Sequence, residues 1–218
     1  MQASMQGRIV AALVAGVASA LMMALTAGAA WAINVDCTTD FAALCEGTNA
    51  RDEFEGEDVD DGVDGARDII EGKRSSDRAH GNGGNDRIVG GKGADGEFGS
   101  QLSGDAGNDY VGGGPGDDDN VKGGIGNDTV SGGSGDDGNG STNDGDLEGG
   151  AGYNKVRGGP GDDQIDANDS LAQQVENISG GGDDDTIRAD DGEVDNIDCG
   201  TGNDTVTFDT GIDNLTNC

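Results

Sequence analysis

A nine-residue unit recurs through most of this chain, and its period constrains the fold more than any other feature. It is clearest in GNGGNDRIV at 81–89, GDAGNDYVG at 104–112, GGIGNDTVS at 123–131, GGPGDDQID at 158–166 and CGTGNDTVT at 199–207. Gly recurs at positions one, two and four, Asp at six and an apolar residue at eight. Looser copies begin at 63, 72, 149, 180, 190 and 208, so the pattern covers nearly everything after residue 62. In GGKGAD at 90–95, GGPGDD at 113–118 and GGSGDD at 132–137 the apolar residue is delayed to Leu102, Val121 and Leu147. Each insertion falls after the Asp, where a surface loop lengthens without moving the turn or the strand. The segment 167–179 is a divergent spacer in which Ile178 regains the apolar position. A short fixed period predicts stacked coils, each too small to bury an apolar face alone.

The parts of the unit have separate physical meanings. Gly accepts positive φ and close backbone approach, so G-G-x-G-x reads as a tight turn with converging carbonyl groups. The three residues x-U-x read as a short strand with one side chain inward and two outward. Ile70, Ile88, Val111, Val130, Val156, Ile165, Ile187, Ile197, Val206 and Leu215 are then the core, a ladder one residue wide per strand. Stacking at about 4.8 Å also stacks the aspartates, whose mutual repulsion a cation between turns removes. Carboxylate and carbonyl oxygens in a flexible set favour calcium over zinc, copper or octahedral magnesium. The chain has 44 Asp plus Glu against 12 Lys plus Arg, a net charge of −32, which disfavours nucleic acid and anionic membranes as partners. With 44 Gly in 218 residues and 3% aromatics, a disordered acidic chain is the competing reading.

With the spacing G-G-x-G-x-D-x-U-x in view, the repeats resemble the calcium-binding nonapeptide of the repeats-in-toxin (RTX) family. The resemblance implies an all-β fold, a parallel β-roll or β-solenoid with two nonapeptides per coil, occupying 63–218. It implies several Ca2+ ions between turns that neighbour one another on the same edge, so that ligand pairs come from repeats two apart. Asp86 then pairs with Asp109, Asp95 with Asp118, Asp109 with Asp128, Asp118 with Asp137, Asp137 with Asp163, and Asp185 with Asp204. The turn glycines Gly81, Gly83, Gly90, Gly93, Gly104, Gly107, Gly113, Gly116, Gly123, Gly126, Gly132, Gly135, Gly158, Gly161 and Gly202 complete the expected sites. Asn154 replaces the Asp of its repeat and weakens one site. Asp68, Asp77, Asp195 and Asp213 match position six in turns lacking the glycines and read as metal-free capping coils. In a coil of two repeats, Cys199 and Cys218 come close enough for a disulfide that clamps the last coil.

The N-terminus bears on compartment. Ile9 to Ala30 carries no charge, Arg8 precedes it, and Ala30-Trp31-Ala32 has the small residues of a cleavage site. Residues 1–32 read as a secretory signal peptide, with an uncleaved membrane anchor as the alternative. An oxidising compartment predicts paired cysteines, and their grouping suggests Cys37 with Cys45 in the segment 33–62, and Cys199 with Cys218. A zinc site competes with this, but there is no C-x-x-C and the lone His80 lies far from all four. Asp60, Asp64, Gly65 and Glu71 match part of an EF-hand loop, yet Gly62 and Arg67 break its pattern. The interval from Ile33 to Gly62 is too short for a catalytic domain, and a single His leaves no obvious nucleophile–His–acid set. The expected function is a secreted, non-enzymatic calcium-binding protein that folds on binding, with calcium as its partner and no membrane partner after signal cleavage. The alternatives are a calcium-rigidified adhesion or surface-interaction module, and the repeat remnant of a secreted hydrolase or toxin.

Overall fold

Strands follow the repeat with one per nonapeptide, alternately assigned to two sheets. The computed structural model describes residues 34–36, 44–46, 53–55, 67–96, 101–138, 146–168 and 175–218. The expected signal peptide at 1–32 and Cys37 lie outside the described residues, so the Cys37–Cys45 pairing does too. One sheet comprises β1 (Asn34–Asp36), β3 (Glu53–Glu55), β5 (Arg78–His80), β7 (Leu102–Ala106), β9 (Val121–Ile125), β11 (Leu147–Ala151), β13 (Gln164–Asp166), β15 (Thr186–Ala189) and β17 (Thr205–Phe208). The other comprises β2 (Leu44–Glu46), β4 (Ile69–Arg74), β6 (Arg87–Lys92), β8 (Tyr110–Pro115), β10 (Thr129–Ser134), β12 (Lys155–Pro160), β14 (Asn177–Gly182), β16 (Asn196–Thr201) and β18 (Asn214–Thr216). Each strand pairs in parallel with the strand two further along the chain, so one coil is two repeats. This is the parallel β-roll that the period and the resemblance imply.

Register holds the apolar residues in two vertical rows. In one sheet Leu102 sits beside Val121, Leu147 beside Ile165 and Ile165 beside Ile187. In the other Ile70 sits beside Ile88, Ile88 beside Val111, Val111 beside Val130, Val130 beside Val156 and Ile178 beside Ile197. All of these are buried, and Val206 and Leu215, on the last two strands, are partly buried against the same core. Each buried aliphatic contributes about 1.5–3 kcal/mol, so the core is a sum of rung-to-rung contacts with no central cluster. The delayed residues Leu102, Val121 and Leu147 and the spacer's Ile178 all reach the ladder, as expected for insertions placed after the Asp. Ala79 also fills a core position.

Strand length departs from expectation. The unit predicts three-residue strands, but most run five or six residues, through positions one to three of the next repeat. The cause is that the glycines continue the parallel ladder: Gly133 pairs with Gly114, Gly159 with Gly181 and Gly181 with Gly200. Positions two and four then bend the chain with positive φ, as at Gly114 (122°) and Gly116 (149°). Where a repeat lacks these glycines the same bend is imposed on other residues, on Lys73 and Ser75 in one repeat and on Asp105 at position two of another.

Candidate metal centre

Because Asp at position six closes one turn and opens the next strand, stacking the coils lines these residues into two columns, one on each edge of the roll. The first runs Asp68, Asp86, Asp109, Asp128, Asn154, Glu176, Asp195, Asp213; the second runs Asp77, Asp95, Asp118, Asp137, Asp163, Asp185, Asp204. In each rung from Asp68 to Asn154 and from Glu176 to Asp213 of the first column, and in each rung of the second, a backbone N–H donates to a side-chain oxygen of the residue one coil on, at 2.7–3.0 Å. The six pairs expected from the sequence, Asp86–Asp109, Asp95–Asp118, Asp109–Asp128, Asp118–Asp137, Asp137–Asp163 and Asp185–Asp204, are all vertical neighbours joined in this way. Separation along the chain varies from 18 to 26 residues, and both columns absorb the insertions while keeping the bond.

The second carboxylate oxygen is treated differently. In Asp86, Asp95, Asp109, Asp118, Asp128, Asp137, Asp163, Asp185 and Asp195, Oδ2 is buried and accepts no hydrogen bond. Leaving a charged oxygen so is costly, and a row of such atoms calls for a counter-charge. Glycine at position one makes the space: a Cβ on Gly104 would stand 2.5 Å from Asp109 Oδ2 and 2.6 Å from the Gly123 carbonyl oxygen of the next coil. Gly81, Gly90, Gly113, Gly123, Gly132, Gly158 and Gly180 leave the same room for the carboxylate of their own repeat. At position four a Cβ on Gly107, Gly116, Gly126, Gly135 or Gly161 would strike the carbonyl of the equivalent residue one coil back. In the repeat at 81–89 the residue with this bent geometry is Gly84 (φ 135°), whereas Gly83 pairs with Ala106. No group of three or more His, Cys, Asp or Glu side chains gathers among the described residues, so carbonyl oxygens must complete any ligand set. Such an oxygen-only donor set fits a hard cation.

The electrostatics agree. Burial, chiefly, pushes Asp118 and Asp163 up to about 8, Asp86, Asp109 and Asp137 to about 7, and Asp95, Asp128, Asp185 and Asp195 to about 6. The backbone N–H bond opposes the rise. Vertical neighbours add to it, Asp95 and Asp137 acting on Asp118, and Asp137 and Asp185 on Asp163.

The chain matches the family model of the RTX calcium-binding nonapeptide repeat in four copies, at residues 62–97, 100–119, 116–138 and 139–169. This is an RTX-type repeat protein. No curated protein and no solved structure matches the chain. The RTX repeats are calcium-binding units, and the matched stretches hold the members of the two columns from Asp68 to Asp163.

Several features lie beyond what the repeat pattern disclosed. Glu176 occupies a position-six place in the first column, although 167–179 reads as a spacer. The signal was present in Glu176-Asn177-Ile178, an acidic residue two before the apolar one. At Asp213, Oδ1 accepts the Asp195 N–H and Oδ2 accepts the Asp209 N–H, so both oxygens have partners, as suits a metal-free cap. Position five forms an exposed row of its own. On the first edge Asn108, Asn127 and Tyr153 donate backbone N–H groups to Asn85, Asn108 and Asn127. On the second edge Asp136, Asp162, Asp184 and Asn203 donate to Asp117, Asp136, Asp162 and Asp184. His80 Nδ1 lies 3.1 Å from Asp105 Oδ2, and Ser103 Oγ donates to Asp105 Oδ1 at 2.6 Å. That order puts the acid between serine and imidazole, which is not the arrangement that activates a nucleophile. Glu71, the twelfth residue of the partial EF-hand match, lies on strand β4 and not on a helix. Cys199 and Cys218 form a disulfide with Cα atoms 5.0 Å apart.

Proposed function

We propose that this chain is a secreted, non-enzymatic protein that binds several Ca2+ ions and assembles its roll as it does so. The observation that carries this reading is the pair of columns in which Asp195 and eight of the nine ligands named below, all but Asp204, hold a buried oxygen without a hydrogen-bond partner. When bound, Ca2+ supplies positive charge and a demand for six to eight oxygens. Asp86, Asp109 and Asp128 on one edge, and Asp95, Asp118, Asp137, Asp163, Asp185 and Asp204 on the other, are the proposed carboxylate ligands. Turn carbonyls exposed by Gly81, Gly90, Gly104, Gly113, Gly123, Gly132 and Gly158 complete the set. Coupling to folding follows because the oxygens converge only when coils stack, and coils stack poorly while the carboxylates repel one another. Export is supported by the apolar run and Ala30-Trp31-Ala32, and RTX repeat proteins are typically extracellular.

Circular dichroism at pH 8 tests the coupling. The protein in chelator is expected to lack β-structure and to gain it cooperatively with Ca2+ in the sub-millimolar to millimolar range of extracellular modules, with Mg2+ far less effective. Asp128→Ala or Asp163→Ala raises the calcium midpoint about tenfold, equivalent to about 1.4 kcal/mol. Asp213→Ala, whose carboxylate already holds the Asp209 N–H, changes the midpoint less. Full β-structure in chelator at pH 8 overturns the coupling.

A further inference from the structure

Asn154 differs from every aspartate in its column in what its second side-chain atom does. Its Oδ1 accepts the Asp128 N–H at 2.9 Å, as an aspartate Oδ1 does in the other rungs. Where Asp86, Asp109, Asp128 and Asp195 hold an unpartnered Oδ2, Asn154 holds an amide nitrogen, and that nitrogen has acceptors in place. It donates to the Gly150 carbonyl at 2.6 Å and to Glu176 Oε1 at 3.0 Å. Asn154 is fully buried and Glu176 nearly so, at 2% exposure. A Cβ on Gly149 would meet Glu176 Oε1 and Asn154 Nδ2, so the cradle that elsewhere faces a bare carboxylate oxygen is already filled by a donor and its acceptor.

A carboxamide NH2 presents two positively polarised hydrogens in the space between a turn carbonyl and a carboxylate. It satisfies oxygens that in other rungs await a cation, and it repels any cation that approaches. The two substitutions in this stretch of the column are complementary: Asn loses a charge, and Glu, one methylene longer than Asp, reaches back to the amide. Both N–H bonds of the Asn154 amide are spent inside the coil pair.

We propose that the Asn154 amide stands in for calcium, so that the rung joining Asn154 to Glu176 is a metal-free joint held by hydrogen bonds. The first edge then binds calcium above this joint, at Asp86, Asp109 and Asp128, while the second edge binds without interruption through Asp137, Asp163 and Asp185. The inference rests on the calcium reading above and concerns which rung omits the ion.

Native mass spectrometry of the calcium-saturated protein tests it by counting ions. Asn154→Asp restores G-G-x-G-x-D in GGAGYN and is expected to bind one more Ca2+ than the wild type, while Asp163→Asn binds at least one fewer. An unchanged or lower count in folded Asn154→Asp overturns the proposal. If that variant does not fold, deuterium exchange of the wild-type Asn154 side-chain amide, followed by NMR in saturating Ca2+, decides. Protection comparable to core backbone amides supports the joint, and exchange as fast as that of exposed Asn85 overturns it. A wild type that binds no calcium sinks the calcium reading itself, which a wild type with bound ions and an unchanged variant does not.

Discussion

The aspartate at position six divides two duties between its two oxygens. Oδ1 accepts a backbone N–H from the neighbouring coil and fixes the rung height, and Oδ2 is left bare in the cradle of the position-one glycine. The first duty is met with or without a metal; the second is costly without one. Protonation is the other way to relieve a bare buried carboxylate, and burial lifts these groups from the ordinary 3.8 to between about 6 and about 8. A folded-state value above the unfolded one means that the metal-free fold takes up protons, so the contribution of these groups to its stability is fully present below about pH 4 and is lost as pH rises through about 6 to 8. In chelator, therefore, β-structure measured by circular dichroism is expected to increase as pH falls from 8.5 to 5. Calcium added near pH 7 displaces those protons, so an unbuffered sample acidifies during titration. A chelated protein whose signal is flat across that pH range contradicts the account of the buried oxygens.

At the scale of the element, a strand and its turn form one continuous unit in which each glycine has its own reason. Position one needs space for a carboxylate, whereas positions two and four each need both positive φ and the absence of a Cβ above a carbonyl of the neighbouring coil, that of Gly91 for Gly114 and that of Gly93 for Gly116. Gly107 and Gly192 separate the last two requirements. Both have positive φ, 148° and 96°, but a Cβ on Gly107 collides with the Gly84 carbonyl, whereas one on Gly192 meets nothing within 4 Å. Gly192→Ala carries only the backbone penalty of about 1–2 kcal/mol. Gly107→Ala adds the clash and is expected to raise the calcium midpoint by a further tenfold or more in the same titration. The strand positions, the apolar ladder and the vertical pairing of aspartates were legible in the sequence, because one period sets all three. The strand's extension through the glycines was not, since Gly is ordinarily a poor strand former and only the cross-coil ladder from Gly133 to Gly114 recruits it. The role of Glu176 was hidden because the insertion before it broke the glycine pattern while the acidic–x–apolar spacing survived.

Across the whole molecule the two edges are built alike in backbone and unlike in charge. Their buried columns keep the same spacing, yet the exposed position-five row is Asn85, Asn108, Asn127 and Tyr153 on one edge and Asp117, Asp136, Asp162, Asp184 and Asn203 on the other. Single repeats conceal this, because the edges alternate along the chain and the contrast emerges only when every second repeat is stacked. The exposed carboxylates act on the buried ones beside them: Asp117 and Asp136 raise Asp137, Asp136 raises Asp163, and Asp162 and Asp183 raise Asp185. The same field that opposes ionisation in the empty turn attracts a divalent cation to it, and it is screened by salt over about 10 Å at 0.1 M. The second edge should therefore bind calcium more tightly at low ionic strength and lose more affinity as salt rises. Site-resolved NMR titrations can follow Gly116 and Gly135 for the second edge and Gly107 and Gly126 for the first, at 0.02 M and 0.5 M NaCl. The expected result is a several-fold larger salt effect at Gly116 and Gly135, reduced toward that of the first edge by Asp136→Asn with Asp162→Asn. Equal salt dependence on both edges in the wild type would show that the exposed row contributes nothing to capture, leaving the buried columns as the sole determinant of affinity.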